Sequence, residues 1–333
     1  MRKKVIAGLI GAGRIGKMHA ENIISRFPDV YLKTVADIEL DEDWVEKLGV
    51  EIRASDMHAI LSDPEIEAVI ITTPSSTHVD IICAVAQAGK HIFCEKPIAF
   101  NPDNILKAIA AVDKAGVIFQ VGFNRRFDPD FSRVYKIVKG GDIGTPHIFK
   151  ITNRDPFIPD LDYIPDSGGL FMDFCVHDFD TLRFLSGSEV EELYVAGAVL
   201  VDPEIEKLGD IDTAIITLKM ADGSLGIIDV CRETNYGYDQ QIEVFGTKGS
   251  IKACNTAPTN TVLSTSEGVF TDKPYYSFVE RYQEAYIAEL RAFFSCVRTN
   301  KQPSVGGEDA LAAVKIAISA QQSLNLNKPM RVT

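Results

Sequence analysis

The first 122 residues alternate short apolar runs, rich in β-branched side chains, with longer stretches of helical pattern. The apolar runs span residues 5–10, 31–37, 68–74, 90–96 and 117–123. Helical stretches such as 78–88 and 103–114 lie between them, and the glycines that follow, Gly89 and Gly116, can end a helix. Strands that alternate with helices form a parallel sheet that is covered on both faces. The sequence therefore predicts a doubly wound parallel α/β domain of the Rossmann type.

After residue 123 the pattern changes. An apolar run at 146–152 and a helical stretch at 170–185 precede several strands joined by tight turns, such as Asp222-Gly223 and Glu267-Gly268. Two helical patterns, at 278–297 and 308–326, close the chain. These features predict an α+β domain with a large, mainly antiparallel sheet. Because 333 residues exceed what one hydrophobic core usually serves, we divide the chain into domains 1–123 and 124–333.

Composition narrows the class of partner. The formal net charge is −13 and no lysine or arginine cluster occurs, which argues against a nucleic-acid surface and favours a small molecule. No apolar segment is long enough to span a bilayer, and the glycines in the first apolar run argue against a secretory signal. Six scattered cysteines without a CxxC pair favour a reducing cytoplasm. The histidines show no metal-ligand spacing, so we predict no metal.

The sequence GAGRIG, residues 11–16, lies between the first predicted strand and the first predicted helix. Gly11 can form the tight turn, Gly13 lets the backbone approach a pyrophosphate, and Gly16 allows close packing of helix and strand. Asp37 ends the second strand, where an acid accepts hydrogen bonds from an adenine ribose and repels a 2′-phosphate. The alternative is a glycine-rich turn without a ligand. We predict an NAD site.

Lys96 ends another apolar run, within the sequence Glu95-Lys96-Pro97. Proline fixes its own φ and disfavours the α region for the residue before it, so the lysine is held at the strand end. Beside a nicotinamide, this lysine can hydrogen-bond the oxygen that gains or loses a proton during hydride transfer. The alternative is a structural ion pair with a nearby acid. The predicted cofactor contacts are Gly11, Gly13, Arg14, Ile15, Gly16, Asp37, Thr73, Pro74, His78, Glu95 and Lys96.

The sequence DFCVH, Asp173 to His177, lies in a predicted helix. A spacing of four residues puts both side chains on one helix face, where a carboxylate and an imidazole can address one substrate. Histidine titrates near neutral pH and can accept a hydroxyl proton. The alternative is an Asp/His pair that only stabilises the helix.

The ordered set of GAGRIG, Asp37, Glu95-Lys96-Pro97 and DFCVH resembles the family of glucose-fructose oxidoreductase, inositol dehydrogenase and rhizopine catabolism proteins over nearly the whole chain. The most similar branch is that of the bacterial inositol 2-dehydrogenases, through residues 122–128, 153–156 and 236–239. The resemblance implies that Lys96, Asp173 and His177 are catalytic, with His177 as general acid/base and a cis proline after the lysine. It also implies a homotetramer or homodimer formed through an open C-terminal sheet.

By the same resemblance, the substrate-binding residues are Lys96, Arg125, Asn153, Asp155, Asp173, His177 and Tyr238. Some inositol enzymes carry histidine and asparagine at the positions of Asn153 and Asp155, so the preferred isomer stays open. The expected activity is NAD-dependent oxidation of a cyclitol, foremost myo-inositol to 2-keto-myo-inositol. Two alternatives remain: an NAD(P)-dependent dehydrogenase of an aldose or another sugar, and a non-enzymatic NAD-binding sensor.

Overall fold

The computed structural model of the protein describes residues 4–333, and the chain forms two compact units. The first unit contains the described residues up to Asn124 together with Tyr286–Ala312. The second contains Arg125–Ala285 and Ala313–Thr333. The predicted domain boundary at residue 123 therefore misses one segment, because Tyr286–Ala312 belongs to the first unit. No helix in residues 4–333 is both long enough and apolar enough to cross a membrane.

The first unit contains a six-stranded parallel sheet, which confirms the predicted doubly wound fold. Its strands, in chain order, are β1 (Val5–Ile10), β2 (Val30–Ala36), β3 (Ile52–Ala54), β4 (Ala68–Ile71), β5 (His91–Cys94) and β6 (Phe119–Val121). They lie in the sheet order β3-β2-β1-β4-β5-β6, and each neighbouring pair is parallel. All four residues of β4 are buried, as expected for a central strand with both faces covered.

Helices connect these strands. They are α1 (Arg14–Arg26), α2 (Glu42–Leu48), α3 (His58–Leu61), α4 (Ser75–Gln87) and α5 (Pro102–Ala115). The side chain of Asn101 accepts a hydrogen bond at the start of α5, and Pro102 occupies the first turn, where its missing N–H costs nothing. Gly116 follows the helix with φ +65°, and Gly89 follows α4 with φ +71°, so both predicted helix stops are confirmed.

The second unit contains a seven-stranded sheet and a separate hairpin. The strands are β7 (Pro146–Arg154), β8 (Val190–Ala198), β9 (Thr213–Met220), β10 (Leu225–Cys231), β11 (Asp239–Gly246), β12 (Gly249–Ala253), β13 (Val262–Thr265), β14 (Gly268–Thr271) and β15 (Met330–Arg331). The sheet order is β12-β11-β7-β10-β9-β8-β15, and β13 pairs with β14 in the hairpin. Only β7 and β10 pair in parallel among these described strands, so the predicted, mainly antiparallel sheet is confirmed.

The remaining helices are α6 (Pro129–Gly140), α7 (Ile164–Ser167), α8 (Val176–Ser186), α9 (Pro203–Lys207), α10 (Phe278–Arg281), α11 (Gln283–Thr299) and α12 (Gly307–Leu326). Short 3₁₀ turns occur at Asn124–Phe127 and Leu161–Tyr163, and a π-helical turn occurs at Leu170–Phe174. Along β9, buried and exposed residues alternate, so one face of the sheet packs inward and the other faces outward.

Helix α11 completes the core of the first unit. Its residues Leu290, Phe293 and Phe294 are fully buried in the same hydrophobic cluster as side chains of β1, β2 and β5. The ring of Phe293 lies 5.9 Å from that of Phe93 on β5, measured between centroids. The first sheet therefore depends on a segment more than 160 residues beyond its last strand.

We expect Phe293→Ala to destabilise the protein by about 3–5 kcal/mol, because it leaves a cavity in this core. Urea unfolding followed by circular dichroism measures the loss. Leu106→Ala on α5, where the side chain is 46% exposed, serves as the control and is expected to cost much less. Equal losses for the two variants would contradict the assignment of α11 to the core.

Candidate active site

In the glycine loop between β1 and α1, two glycines leave no room for a side chain, and a third leaves its backbone open to a ligand. Gly11 has φ +96°, and a Cβ atom on it would lie 2.6 Å from the backbone nitrogen of Thr73. A Cβ on Gly16 would lie 1.9 Å from the carbonyl oxygen of Gly11, so only glycine fits. A Cβ on Gly13, the N-cap of α1, would meet nothing within 4 Å. The open side of Gly13 and the N-terminal amides of α1 therefore offer a cradle for a pyrophosphate.

The first residues of α1 border this cradle. Arg14 begins the helix and is exposed, whereas Ile15 is half-buried. Thr72, which follows β4, donates its hydroxyl to the carbonyl oxygen of Gly11 at 2.6 Å and so ties the loop to the neighbouring strand end. The predicted cofactor residues of this loop thus stand together in the first unit.

Asp37 follows β2 at the same edge of the sheet. Its carboxylate accepts hydrogen bonds from the backbone N–H of Ala12 and, at 2.8 Å, from that of Glu39. An open pocket of about 650 Å³ adjoins it and is lined by Asp37, Ile38, Glu39, Leu40, Glu42, Arg53, Ala54 and Ser55. The three carboxylates of this lining repel a phosphate, and Arg53 lies 3.8 Å from Glu42, which offsets its charge. The pocket suits the adenosine end of NAD rather than that of NADP.

His78 connects two turns beside the glycine loop. It is buried, and its ring nitrogens each lie 2.8 Å from a backbone carbonyl oxygen, Nε2 from that of Thr73 and Nδ1 from that of Pro97. Burial lowers the pKa of His78, and the two carbonyl oxygens, each of which favours an N–H on the ring, oppose this shift only in part. The imidazole therefore holds the Thr73-Pro74 turn, with Pro74 exposed, next to the turn that carries Lys96.

The Glu95-Lys96-Pro97 turn follows β5. The Lys96–Pro97 peptide bond is cis, as the resemblance implies, and Lys96 is half-buried. The Glu95 carboxylate lies 2.8 Å from Nε2 of His19 through Oε1, and its Oε2 accepts the backbone N–H of Lys96 at 3.3 Å. Because β1, β4 and β5 are parallel, their carboxyl ends bring the glycine loop, Thr73 and Lys96 to one edge of the sheet.

The second unit holds Asp173 and His177. The predicted continuous helix over 170–185 is corrected here: the segment begins with a π-helical turn at Leu170–Phe174, and the α-helix α8 starts at Val176. The N–H of Cys175 donates to the carbonyl oxygen of Leu170 at 3.0 Å, one residue wider than an α-helical bond. Such π-bulges are rare and occur frequently at functional sites. Asp173 lies in this turn and His177 in the first turn of α8, and both are half-buried.

Asp173 is held by residues that the sequence did not suggest. Its Oδ1 accepts the hydroxyl of Tyr163 at 3.0 Å, and its Oδ2 lies 3.5 Å from Nη1 of Arg232. Arg232 is buried and also donates Nη2 to Asp210 at 3.3 Å. These contacts fix the carboxylate in one orientation.

Arg125 and Asn153 meet at a buried carboxylate. Arg125 donates Nη1 to Oδ1 of Asp178 at 2.5 Å, and Asn153 donates Nδ2 to Oδ2 of the same residue at 2.7 Å. Oδ1 of Asn153 accepts a hydrogen bond from Gln240. All four side chains are buried, so the positive charge of Arg125 is balanced locally. The predicted substrate residues Arg125 and Asn153 thus share one polar network.

Tyr238 and Asp155 add titratable groups to the same unit. Tyr238 is buried, and its ring lies 6.0 Å from that of Tyr282. Burial raises the pKa of both phenols, that of Tyr282 to about 12, so each hydroxyl stays protonated at neutral pH. Burial, together with the charge of Asp173, raises the pKa of Asp155 to about 7. Near neutral pH, Asp155 can therefore either donate or accept a hydrogen bond.

The structure places the predicted residues in two groups. The Gly11–Gly16 loop, Asp37, Thr73, Pro74, His78, Glu95 and Lys96 belong to the first unit, whereas Arg125, Asn153, Asp155, Asp173, His177 and Tyr238 belong to the second. Sequence reasoning missed Tyr163, Asp178, Arg232 and Gln240. The only signal for Asp178 was its place directly after His177, together with the rule that a buried arginine requires a carboxylate.

Chemically, the first unit offers a dinucleotide cradle next to a cation. The second unit offers an imidazole, an oriented carboxylate and several neutral hydrogen-bond donors. A general base, fixed donors and a hydride acceptor are the parts that oxidation of an alcohol requires.

Comparison with known proteins agrees with this chemistry. Residues 5–123 match the model of an oxidoreductase family with an NAD-binding Rossmann fold, and residues 131–252 match that of a GFO/IDH/MocA C-terminal domain. A myo-inositol 2-dehydrogenase of Thermotoga maritima is 43% identical over 98% of this chain and 98% of its own length. A scyllo-inositol 2-dehydrogenase (NAD⁺) of Bacillus subtilis is 36% identical over 100% and 97%.

A solved structure extends the likeness to the fold. The scyllo-inositol dehydrogenase of Lactobacillus casei, with bound NAD(H) and scyllo-inositol, aligns with a TM-score of 0.91 at 29% identity and covers 99% of both chains. With two matching domain models and relatives that extend over nearly the full length, the chain belongs to the family of glucose-fructose oxidoreductase, inositol dehydrogenase and rhizopine catabolism proteins, as an NAD-dependent dehydrogenase of the inositol dehydrogenase type.

Proposed function

We propose that the protein oxidises a cyclitol with NAD, foremost myo-inositol at its axial hydroxyl to give 2-keto-myo-inositol. The observation that carries this proposal is the polar group in the second unit. Arg125 and Asn153 share the carboxylate of Asp178, and Asp173 is held separately by Tyr163. Asp155 and Tyr238 add further hydrogen-bonding groups in the same unit. A ring that bears a hydroxyl on every carbon needs such a set to be held in one orientation.

In this proposal each side chain has a defined task. His177 accepts the proton of the reacting hydroxyl, because an imidazole titrates near the working pH. Lys96 stabilises the negative charge that develops on that oxygen, and Asp173, fixed by Tyr163 and Arg232, orients the hydroxyl. When bound, NAD supplies the acceptor for the hydride that leaves the carbon.

Another cyclitol isomer is the principal alternative, since relatives named for myo-inositol and for scyllo-inositol are both similar to this chain. The isomers differ only in whether a given hydroxyl is axial or equatorial. In our proposal Asn153 and Asp155 contact the substrate, so the choice between isomers depends on which hydroxyl each of them contacts. An aldose or another sugar is a further alternative within the same mechanism.

We also propose a homotetramer or homodimer that forms through the outer face of the second sheet. Phe245 on β11, Ile148 on β7 and Leu225 on β10 pair side by side across three neighbouring strands. Their exposed fractions are 49%, 43% and 51%, so they form a row of apolar surface. Such a contiguous row on a sheet face favours burial against another protein surface. We further propose a cytoplasmic location, in keeping with six free cysteines.

The substrate preference is tested by turnover. Purified protein with NAD should form NADH, followed by its absorbance, with myo-inositol faster than with scyllo-inositol, chiro-inositol, glucose, galactose or xylose, and NADP should replace NAD poorly. A preference for scyllo-inositol would keep the cyclitol assignment and change the isomer. Turnover of aldoses alone would discard the cyclitol, and NAD binding without any turnover would support a sensor.

Substitution of His177 tests its role as the proton acceptor. His177→Ala should lower kcat by about 10²–10⁴, since the proton acceptor is lost, and should leave the Kd of NAD nearly unchanged. The control is His58→Ala, which removes an exposed imidazole of α3. Turnover of the His177 variant at the wild-type rate would remove this residue from the mechanism.

Charged substitutions on the outer face of the second sheet test the proposed assembly. Phe245→Asp combined with Leu225→Asp should shift the protein to a smaller species, because two charges would be desolvated in the interface. Size-exclusion chromatography with light scattering measures the mass. Leu106→Asp, a matched charge on an exposed residue of the first unit, should leave the mass unchanged. A wild-type monomer would refute the proposal.

A further inference from the structure

Three acidic or basic side chains meet inside the first unit, at a place that the proposed mechanism does not use. His19 on α1, Glu95 in the turn after β5 and Glu289 on α11 each have a nitrogen or oxygen atom within 4.8 Å of the others. His19 and Glu289 are both fully buried. The three residues lie far apart in the sequence, so no local motif reveals the cluster.

Glu95 is already engaged on both sides of its carboxylate. Oε1 lies 2.8 Å from Nε2 of His19, and Oε2 accepts the N–H of Lys96 at 3.3 Å. A Cβ atom on Gly122 would lie 2.8 Å from the same Oε2, so the backbone of the next strand end packs directly on the carboxylate. Any change in the position of Glu95 is therefore transmitted to the backbone of Lys96.

The carboxylate of Glu289, unlike that of Glu95, has no hydrogen-bond donor in the described part of the chain. Both of its carboxylate oxygens are buried, and neither accepts a hydrogen bond from a donor among residues 4–333. The environment is largely apolar: the ring of His19 lies 5.3 Å from that of Phe93 and 5.7 Å from that of Tyr286. An ionised carboxylate without donors is strongly disfavoured in such a place. Burial and the charge of Glu95 accordingly raise the pKa of Glu289 well above its ordinary value.

A protonated Glu289 has one O–H to donate, and an acceptor is present in the cluster. The carboxylate of Glu95, which has an oxygen within 4.8 Å of a carboxylate oxygen of Glu289, is such an acceptor. We propose that Glu289 carries a proton, shares it with the His19–Glu95 pair, and thereby acts with His19 as a positioning residue for the Glu95–Pro97 turn that carries Lys96. This role rests on the proposed function, in which Lys96 acts on the substrate.

Two further contacts hold the Glu95–Pro97 turn, one on each side of Lys96. The N–H of Glu95 donates to the carbonyl oxygen of Ile71 at 3.0 Å, and the carbonyl oxygen of Pro97 lies 2.8 Å from the ring of His78. Lys96 lies between these two anchors. The shared proton fixes the side chain of Glu95 on one side of the lysine, as His78 fixes the backbone on the other.

A divalent cation is the competing occupant, because one histidine and two carboxylates also suit zinc or manganese. The distance between His19 and Glu95 favours the proton. Two ligands about 2.1 Å from a tetrahedral ion stand roughly 3.4 Å apart, whereas Nε2 and Oε1 are 2.8 Å apart, at the distance of a direct hydrogen bond.

Replacement of Glu289 by glutamine and by leucine tests the positioning role. Gln keeps the shape and a neutral donor, so Glu289→Gln should retain kcat within about threefold, whereas Glu289→Leu loses the donor and should lower kcat by about tenfold or more. The KM for NAD should change little in either. Glu284→Gln, an exposed glutamate of the same helix, is the control. Wild-type kcat in the Leu variant, or equal losses in both variants, would overturn the role.

The pH dependence of stability tests the proton independently of turnover. A carboxyl that is protonated in the folded chain and ionised in the unfolded chain makes stability fall as pH rises above the ordinary glutamate pKa, by up to about tenfold in the unfolding equilibrium per pH unit. Glu289→Gln should remove this component, so its advantage over wild type in urea unfolding should grow between pH 5 and pH 9. Parallel curves would show that Glu289 is ionised in the fold and would refute the shared proton.

Elemental analysis of the purified protein decides between proton and metal. One equivalent of a divalent metal, lost in Glu289→Gln together with activity, would overturn the proposal in favour of a metal site. Failure of the proposed function is distinguishable from failure of this inference. If no polyol is oxidised, the function fails, while the pH dependence of stability still decides whether Glu289 carries the proton.

Discussion

The contact between Gly16 and the carbonyl oxygen of Gly11 fixes the position of helix α1, and both ends of the first-unit site follow from it. Because no Cβ fits between them, the helix packs directly on the loop that precedes it. This contact aims the N-terminus of α1 at the place of a pyrophosphate. One turn further on, the same helix carries His19 to the carboxylate of Glu95. The cofactor cradle and the lysine turn thus share one support.

In the second unit, buried ion pairs hold the residues of the candidate site in place. Arg125 is matched by Asp178, and Arg232 lies between Asp173 and Asp210, all with little exposure to solvent. Removal of one partner from a buried pair typically costs about 3–5 kcal/mol, because an uncompensated charge remains. Arg125 and Asp173, which these pairs hold in place, are among the polar residues that we assign to substrate binding. Asp155 differs from these fully charged groups, since burial raises its pKa to about 7.

Local patterns in the sequence were sufficient for five of the first unit's six strands, for the glycine loop and for the turn around Lys96, whereas the three-residue edge strand β3 was not predicted. In each of these, the determining residues are neighbours along the chain: glycines beside a strand, or a proline after a lysine. Contacts between distant residues could not be predicted in this way. Glu289 reaches Glu95 from 194 residues away, and Gln240 reaches Asn153 from 87. The π-turn before His177 was also hidden, because the spacing of apolar residues fits an α-helix equally well.

The return of the segment Tyr286–Ala312 to the first unit has a consequence for how such proteins can be recombined. An exchange of substrate domains between relatives with a single crossover after residue 124 would give the NAD-binding unit a foreign α11. The aromatic core around Phe93 and the partner of Glu95 would then come from different parents. A chimera that preserves each unit needs three junctions, near residues 124, 285 and 312. The cofactor residues and the proposed substrate residues therefore belong to separate compact units, but the segments of these units alternate along the chain.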